Sequence, residues 1–405
     1  MAALTALILK LFYNHCSVST SPSRTLSSPT TRRFRAQAEQ FWRRVTDGLE
    51  LNQLWNQFQL DARSSYRLYS QNIDASPKQG ISKRQHWWNV AKQFFWAILE
   101  KLSPARRVLL LVAVLLIILN PELSWTDKGG MHVVGFDLRL WGGLLMFVLL
   151  MLEVADRVVM KRDLEIAREI QRWLLPVNPP AVPGLDIAFA TRPANTVAGD
   201  YYDVFARAGA EGSEGNYLFV VADVAGKSIP AALLMATFQA SLKTLSASPM
   251  SLGQLLERMN HYMCANSQSG LRFTTAFLGE YDPAARTLTY INAGHNPPIL
   301  RRASGNIERL EVGGLPLGIQ DNTSYEMGTV TLGSEDWLVI FTDGVVEAVN
   351  NWNEEFGENR LITVINGGAQ TSPTRLLSRV MVDLDFYVGS TPQHDDITCV
   401  LVKTA

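Results

Sequence analysis

The pattern of apolar and polar residues divides the chain into two parts. Before residue 176, apolar side chains recur every three or four positions, which predicts amphipathic helices at 36–69 and 86–102. After residue 184, longer periodic runs predict helices at 231–245, 251–266 and 373–386. Short apolar runs predict strands at 185–191, 217–222, 274–281, 287–292, 337–342 and 397–402. Many strands with a few long helices indicate an α+β domain with antiparallel sheets.

Two apolar segments, at about 107–120 and 138–155, lie between these parts. The first is continuous from Val108 to Leu119, and the second is interrupted by Arg139, Gly142, Gly143 and Glu153. Both are shorter than the ~20 residues that span a bilayer comfortably, so a soluble helical hairpin is one interpretation. The connecting segment carries little positive charge, whereas the outer ends of the runs are flanked by Arg106, Arg107, Arg157, Lys161 and Arg162. The positive-inside rule therefore favours a membrane hairpin at 106–156 with both of its ends in the cytoplasm.

Charge and cysteine content narrow the class of protein. The net charge is −1, but residues 1–110 hold 16 basic and 6 acidic residues. A basic segment before an apolar run is typical of the cytoplasmic face of a membrane. Nucleic acid is not an expected partner, because no nucleic-acid-binding motif accompanies the basic residues. Cys16, Cys264 and Cys399 lack ligand spacing, which argues against a disulfide scaffold or a zinc site.

Composition places the remaining domain boundaries. Residues 1–35 form a disordered or targeting-like tail, and 36–105 an amphipathic helical region. The helix at 157–176 is predicted to be a regulatory linker, in which Leu164, Ala167 and Leu174 follow heptad spacing with Gln171 as a polar position. These residues suit either a parallel homodimer or packing of a single helix on its own domain. Prolines end the helix, and the second domain is predicted to span 184–405.

Acidic residues recur at the ends of the predicted strands. Asp223 ends an apolar run and is followed by Gly226 and an alanine-rich helix; comparable positions are held by Asp200, Asp343, Asp395 and Asp396. Such acids would repel one another unless cations neutralise them, and no histidine cluster accompanies them. Oxygen-only ligation selects Mg²⁺ or Mn²⁺, which commonly act on phosphate. Because no serine or cysteine nucleophile motif is present, these residues predict a metal-dependent phosphohydrolase that activates a water molecule.

Five short motifs together resemble one known family. They are Gly199-Asp-Tyr-Tyr-Asp203, Ala222-Asp-Val-Ala-Gly-Lys-Ser-Ile-Pro-Ala-Ala232, Ala293-Gly-His-Asn296, Phe341-Thr-Asp-Gly344 and Asp395-Asp-Ile-Thr398. In this order, over roughly 165–405, the chain resembles the PPM-type metal-dependent serine/threonine phosphatases, and most closely their SpoIIE/RsbU-like bacterial branch. The segment 169–176 resembles the linker into the catalytic domain of that branch.

The resemblance implies a β-sandwich of antiparallel sheets flanked by helices, with two Mn²⁺ or Mg²⁺ ions at one edge. It implies catalytic roles for Asp200, Asp223, Asp343 and Asp395. It also implies a metal-ligand set that consists of Asp200, Asp223, the backbone carbonyl of Val224, Asp343, Asp395 and Asp396. Asp223 would bridge both ions, and Asp396 ranks behind Asp395. No organic cofactor is expected.

The same resemblance implies a partner and a location. The substrate would be phosphoserine or phosphothreonine on a partner protein, in particular an anti-anti-sigma regulator of the STAS type. The protein would lie at the bacterial inner membrane with its catalytic domain in the cytoplasm. A weakly active or inactive signalling module, whose output is partner binding, is the alternative function.

Several residue roles stay open. Asp203 would contact metal through water or cap a turn, and His295 would protonate the leaving serine oxygen or shape a turn. Many eukaryotic-type members bind phosphate with an arginine near the position of Thr196, so that role is unassigned in this chain. Lys227 does not belong to a nucleotide-binding loop, because valine occupies position 221, where such a loop requires glycine.

Overall fold

The computed structural model describes residues 102–119, 137–207, 215–266 and 272–405, together with Lys92, Trp96 and Leu99. The predicted tail at 1–35, most of the region at 36–105 and the segment joining the two apolar runs lie outside the described residues. The chain divides into two compact units, Met1–Leu150 and Met151–Ala405.

Two helices occupy the predicted apolar runs. α1 (Pro104–Leu119) has 16 residues, and α2 (Leu138–Leu174) has 37 and continues without a break into the predicted linker. In the part of the chain that the structure describes, no helix combines the length and the apolar character needed to cross a membrane. The prediction of membrane-spanning segments at 107–120 and 138–155 is therefore not supported. α1 would extend only about 24 Å, whereas the hydrocarbon core of a bilayer is ~30 Å thick.

The second unit contains two β-sheets. Sheet I consists of β1 (Leu185–Arg192), β11 (Ile397–Thr404), β10 (Trp337–Phe341), β6 (Ile299–Arg301) and β7 (Ile307–Arg309), in that spatial order. Sheet II has the order β2 (Tyr201–Ala206), β3 (Tyr217–Val224), β4 (Thr274–Asp282), β5 (Thr287–Ala293) and β8 (Gly313–Gly314), while β9 (Gly328–Thr331) also pairs with β5. Apart from the β5–β8 pair, the pairings between these strands are antiparallel.

Alternating side chains of the strands fill three apolar layers. Phe219 and Val221 of β3 face Leu338 and Ile340 of β10 between the sheets, while Val220 points to the opposite side. On that side, sheet II packs against α3 (Ile229–Ser246) and α4 (Leu252–Asn266). The outer face of sheet I packs against α6 (Glu358–Gly368) and α7 (Pro373–Val388). The unit is therefore a β-sandwich with helices on both outer faces.

The six predicted strands and three predicted helices of this domain are confirmed, with ends that differ by a few residues. Their apolar runs are continuous because both faces of the central strands are covered. β2, the short strands β6 to β9, α6 and the one-turn helix α5 (Asp343–Val346) were not predicted. β8 and β9 have only two and four residues, too few to produce a recognisable alternation.

Candidate active site

Acidic residues from both sheets meet at one edge of the sandwich. Sheet II contributes Asp200, which precedes β2, and Asp223, near the end of β3. Sheet I contributes Asp343, which follows β10, and the pair Asp395 and Asp396, which precedes β11. Because β2 pairs antiparallel with β3 and β10 with β11, the end of one strand lies beside the start of its partner. The structure thus brings together all five strand-end acids predicted from the sequence.

These acids lie close enough to change one another's protonation. Burial, followed by the charge of Asp223, raises the pKa of Asp200 well above its usual value. Burial, followed by Asp343, Asp395 and Asp396, raises the pKa of Asp223 to about 7. Burial, with Asp395 as the next cause, also raises the pKa of Asp343. So much negative charge in a buried place is typical of a site that binds cations.

Thr342 connects the two sheets at Asp200, a role that the sequence pattern does not predict. Thr342 is fully buried between β10 and Asp343. Its Oγ1 donates a hydrogen bond of 2.9 Å to Oδ2 of Asp200 and accepts one of 3.0 Å from the amide of Thr398. Thr342 therefore orients the Asp200 carboxylate. Its place within the motif Phe341-Thr-Asp-Gly344 is the one sequence signal that pointed to it.

Asp396 holds a loop in place with both of its carboxylate oxygens. Oδ1 accepts a hydrogen bond of 2.7 Å from the amide of Ala194, and Oδ2 accepts one of 2.6 Å from the amide of Gly199. Its backbone carbonyl contacts Gly344 so closely that a Cβ there would come within 2.0 Å of the oxygen. Asp396 thus has a demonstrated structural contact, while its role as a metal ligand stays a prediction.

Lys227 lies against Asp395 in this structure. Its Nζ is 3.1 Å from Oδ2 of Asp395 and donates a hydrogen bond of 2.6 Å to the carbonyl of His394. Lys227 follows Gly226 in the turn between β3 and α3, so its charge reaches from sheet II to the start of β11. The structure therefore gives Lys227 an electrostatic role at the acid cluster that its sequence context did not indicate.

Asp203 lies apart from the other acids. It belongs to β2, and its Oδ2 accepts a hydrogen bond of 2.9 Å from the hydroxyl of Tyr201 and forms an ion pair of 2.6 Å with Lys243 of α3. Neither of the two roles considered from the sequence describes this contact. Because β2 extends through Asp203, the strand directs its side chain toward α3, and Asp203 anchors that helix.

His295 lies in a turn behind the acid cluster. It is buried, its amide donates a 2.7 Å hydrogen bond to Oδ1 of Asn292, and its Nδ1 is 3.2 Å from Oγ1 of Thr275. Burial lowers the pKa of His295 to about 4. A buried ring that is neutral near pH 7 is a poor proton donor, so the geometry favours the turn-shaping role.

The predicted metal ligands are aspartate carboxylate oxygens and the backbone carbonyl oxygen of Val224. Hard divalent cations prefer such oxygen ligands. The Val224 carbonyl lies beside Gly199, where a Cβ would come within 3.1 Å of its oxygen. Among the described residues, however, no three acidic, histidine or cysteine side chains are gathered into a group that could bind a single ion. The acids interact electrostatically, and the positive charge beside Asp395 is the ammonium group of Lys227.

A cavity of about 200 Å³ opens beside the acids. Its lining includes Arg192, Lys227, Gly344, Glu347 and Asp395. Arg192, the arginine in this lining, forms an ion pair of 2.5 Å with Asp385 of α7. Burial, followed by the charge of Asp343, raises the pKa of Glu347, an acid that the strand-end pattern did not include.

A sandwich of two antiparallel sheets with acids at one edge defines the PP2C class of phosphatases, and the comparisons agree. Residues 213–405 match the family model described as Stage II sporulation protein E (SpoIIE). The chain is 30% identical over 247 residues to the phosphoserine phosphatase RsbU of Bacillus subtilis. The aligned residues make up 60% of this chain and 70% of RsbU. The chain belongs to the SpoIIE family of PP2C-type serine/threonine phosphatases.

Two further comparisons set the extent of the similarity. Protein IcfG of Synechocystis sp. is 28% identical over 277 residues, which cover 62% of this chain and 42% of IcfG. The chain thus spans less than half the length of that relative. The SiaA-PP2C domain of Pseudomonas aeruginosa superposes with a TM-score of 0.53 at 20% identity and covers 62% of this chain and 99% of that domain. This likeness supports the fold.

Proposed function

We propose that the protein is a metal-dependent phosphatase that removes phosphate from phosphoserine or phosphothreonine on a partner protein. The observation that carries this proposal is the meeting of Asp200, Asp223, Asp343 and Asp395 at one edge of a PP2C-type domain. The relative RsbU is named a phosphoserine phosphatase, which supports the same substrate class. The partner is proposed to be an anti-anti-sigma regulator of the STAS type.

The acids would hold two Mn²⁺ or Mg²⁺ ions through Asp200, Asp223, the Val224 carbonyl, Asp343 and Asp395. Such ions, when bound, supply a water of lowered pKa and neutralise phosphoryl oxygens. Thr342 keeps the Asp200 carboxylate oriented, and Asp396 keeps the preceding loop in place. Lys227 adds a positive charge at the cavity, where an anionic phosphate group would enter.

Phosphate release from a phosphorylated STAS-domain protein by the full chain with Mn²⁺ tests this function. Asp223→Asn should lower kcat/KM by at least about 10³-fold, because it removes the acid that interacts with the three others. Asp186→Asn is the matched control, since Asp186 is an exposed acid on β1 outside the cluster. Activity that survives Asp223→Asn or an excess of chelator would reject the mechanism.

The alternative of a weakly active signalling module has one observation in its favour. Lys227 already neutralises Asp395, so a divalent ion would have to compete with this ion pair. Calorimetric Mn²⁺ binding and phosphate release measured on one sample separate the two functions. Partner binding without turnover in the metal-saturated protein would favour the module.

The linker and the location stay predictions. Leu164, Ala167 and Leu174 are all partly buried, in agreement with a helix face that packs on protein. Charged substitutions at Ala167 and Leu174 should change phosphatase activity if this face transmits a signal, and sedimentation would reveal any homodimer. Cell fractionation would test the predicted place at the inner membrane.

A further inference from the structure

A short loop next to the acid cluster carries an exposed tryptophan. We name residues 349–355 the Trp352 loop; it follows the one-turn helix α5 and leads toward α6. Trp352 is 80% exposed, whereas Trp337, the other tryptophan in residues 184–405, is fully buried. Tryptophan is among the residues most enriched at the energetic centres of protein–protein interfaces. Its surroundings therefore decide whether Trp352 serves such an interface.

Hydrogen bonds hold the Trp352 loop in one shape. Asn350 is buried, and its Oδ1 accepts hydrogen bonds of 2.9 Å and 3.0 Å from the amides of Trp352 and Glu354. Its Nδ2 donates one of 2.9 Å to Oε2 of Glu354. At the ends of the loop, Val349 and Glu355 form an antiparallel bridge. Because the backbone beneath Trp352 is fixed in this way, a partner that covers the ring loses little affinity to the ordering of the loop.

The Trp352 loop adjoins the cavity beside the acids. Its first residue, Val349, lines that cavity. Next to Trp352, Oδ1 of Asn351 accepts a hydrogen bond of 2.9 Å from the hydroxyl of Thr391. The four residues that follow, 392–395, line the same cavity. The loop is therefore joined to the cavity through its own chain and through the segment that delivers Asp395.

The neighbours of Trp352 indicate which kind of partner fits. Asn351, Asn353, Glu354 and Glu355 are all exposed, so polar and acidic groups surround the aromatic ring. An aromatic anchor within a polar rim is typical of protein–protein interfaces. The two glutamates would repel an anionic lipid surface, which argues against insertion of Trp352 into a membrane. The protein that must approach this cavity is the phosphoprotein substrate of the proposed function.

We propose that Trp352 is a docking residue that binds the folded surface of the phosphoprotein substrate beside its phosphorylated side chain. The inference rests on the proposed function, because it requires that the phosphorylated side chain enters the cavity. Trp352 packs against an apolar area of the partner while the phosphoester reaches the acids. A small aryl phosphate needs no such contact, so Trp352 selects among proteins and takes no part in the chemistry.

Three variants of the full chain test the proposal. Trp352→Ala removes the ring, and Trp352→Phe restores an aromatic surface at the same position. Tyr262→Ala is the matched control, since Tyr262 is an exposed aromatic residue on α4, which packs on the other sheet. Thermal melting of each variant shows that it is folded, as expected for substitutions of exposed side chains.

Steady-state phosphate release with Mn²⁺ is measured on a phosphorylated STAS-domain protein and on p-nitrophenyl phosphate. Trp352→Ala should raise KM for the protein substrate about 30-fold, which corresponds to the ~2 kcal/mol of an interface hot spot. Its kcat on that substrate, and both constants for p-nitrophenyl phosphate, should change less than about two-fold, because only binding of the partner is lost. Trp352→Phe should recover most of the affinity, and Tyr262→Ala should match the wild type.

Binding without turnover separates docking from chemistry. In the Asp223→Asn background, calorimetric titration with the same phosphorylated protein should give a dissociation constant about 30-fold higher after Trp352→Ala. An unchanged constant, or an equal loss of activity on both substrates, would overturn the docking role even in an active phosphatase. A dimer that dissociates on Trp352→Ala, seen by sedimentation, would also overturn it by assigning the ring to a second copy of the chain.

The proposed function can fail separately. Wild-type protein that binds the phosphorylated partner through Trp352 but releases no phosphate would overturn the proposed function alone. Wild-type protein that neither binds this partner nor releases its phosphate would overturn both.

Discussion

Single side chains decide how the acid cluster is arranged, and most of them act through backbone groups or through one another. Thr342 orients Asp200, Asp396 holds two loop amides, and Lys227 neutralises Asp395. The acids themselves follow from the sequence because each one ends or begins an apolar run. Their partners do not, because Thr342 and Asp200 are 142 positions apart and no local periodicity connects them.

Replacement of Thr342 tests the residue-scale contact. Thr342→Val keeps the shape of a buried side chain but leaves an oxygen of Asp200 without its donor, so the free energy of unfolding should fall by about 1–3 kcal/mol. Phosphatase kcat/KM should fall by about ten-fold because Asp200 is less well oriented. Thr329→Val, at an exposed position on β9, serves as the control. Equal urea midpoints for the two variants would contradict the prediction.

At the scale of the element, α3 is tied to β2 by an ion pair. Asp203 is buried on β2, and Lys243 contacts it from the last turn of α3 while its Nζ lies 3.5 Å from the centroid of the Phe205 ring. The sequence predicts one of the two elements of this contact and misses the other. The periodicity of apolar residues predicts α3. β2 was not predicted, because its first residues belong to the motif 199–203, which was interpreted as part of a metal site. The pairing depends on which strand lies beneath the helix, and composition does not determine this.

Removal of Lys243 tests the anchoring of α3. Lys243→Met should lower the free energy of unfolding by about 1–2 kcal/mol, less than for a fully buried pair because Lys243 is 37% exposed. The double variant Lys243→Met with Asp203→Asn should recover part of that loss, since the buried carboxylate no longer lacks a partner. Urea unfolding of the four proteins of this cycle gives the coupling energy. Strict additivity of the two substitutions would argue against the anchor.

For the whole molecule, the cluster of acids makes stability depend on pH and on metal. The native state binds protons at Asp223 more tightly than the unfolded chain does, because its pKa is raised to about 7. Stability of the metal-free protein should therefore fall as pH rises from about 4 to 7, with Asp200 acting in the same direction. His295 acts in the opposite direction, since its pKa is lowered to about 4 and its contribution is lost as pH falls below 6.5.

Thermal melting across pH tests these signs. Without metal, the melting temperature of Asp223→Asn should decline less between pH 6 and 8 than that of the wild type. The reason is that the variant lacks the Asp223 carboxylate, whose pKa is about 7. Mn²⁺ should raise the wild-type melting temperature more at pH 8 than at pH 5, since ligand binding requires deprotonated acids. His295→Asn should gain relative stability at acid pH. A wild-type response to Mn²⁺ that is equal at both pH values would contradict the electrostatic account.

The spatial order of sheet I has a consequence for how the protein is made. β11 follows the other described strands of sheet I in sequence, yet it lies between β1 and β10 and is preceded by Asp395 and Asp396. While the polypeptide is still on the ribosome, β1 and β10 therefore have no strand between them, and the acid cluster lacks two of its five members. The proposed site is therefore incomplete until β11 has been synthesised, and the edges of β1 and β10 that pair with β11 stay unpaired until then. A chaperone that covers those edges would act during this interval.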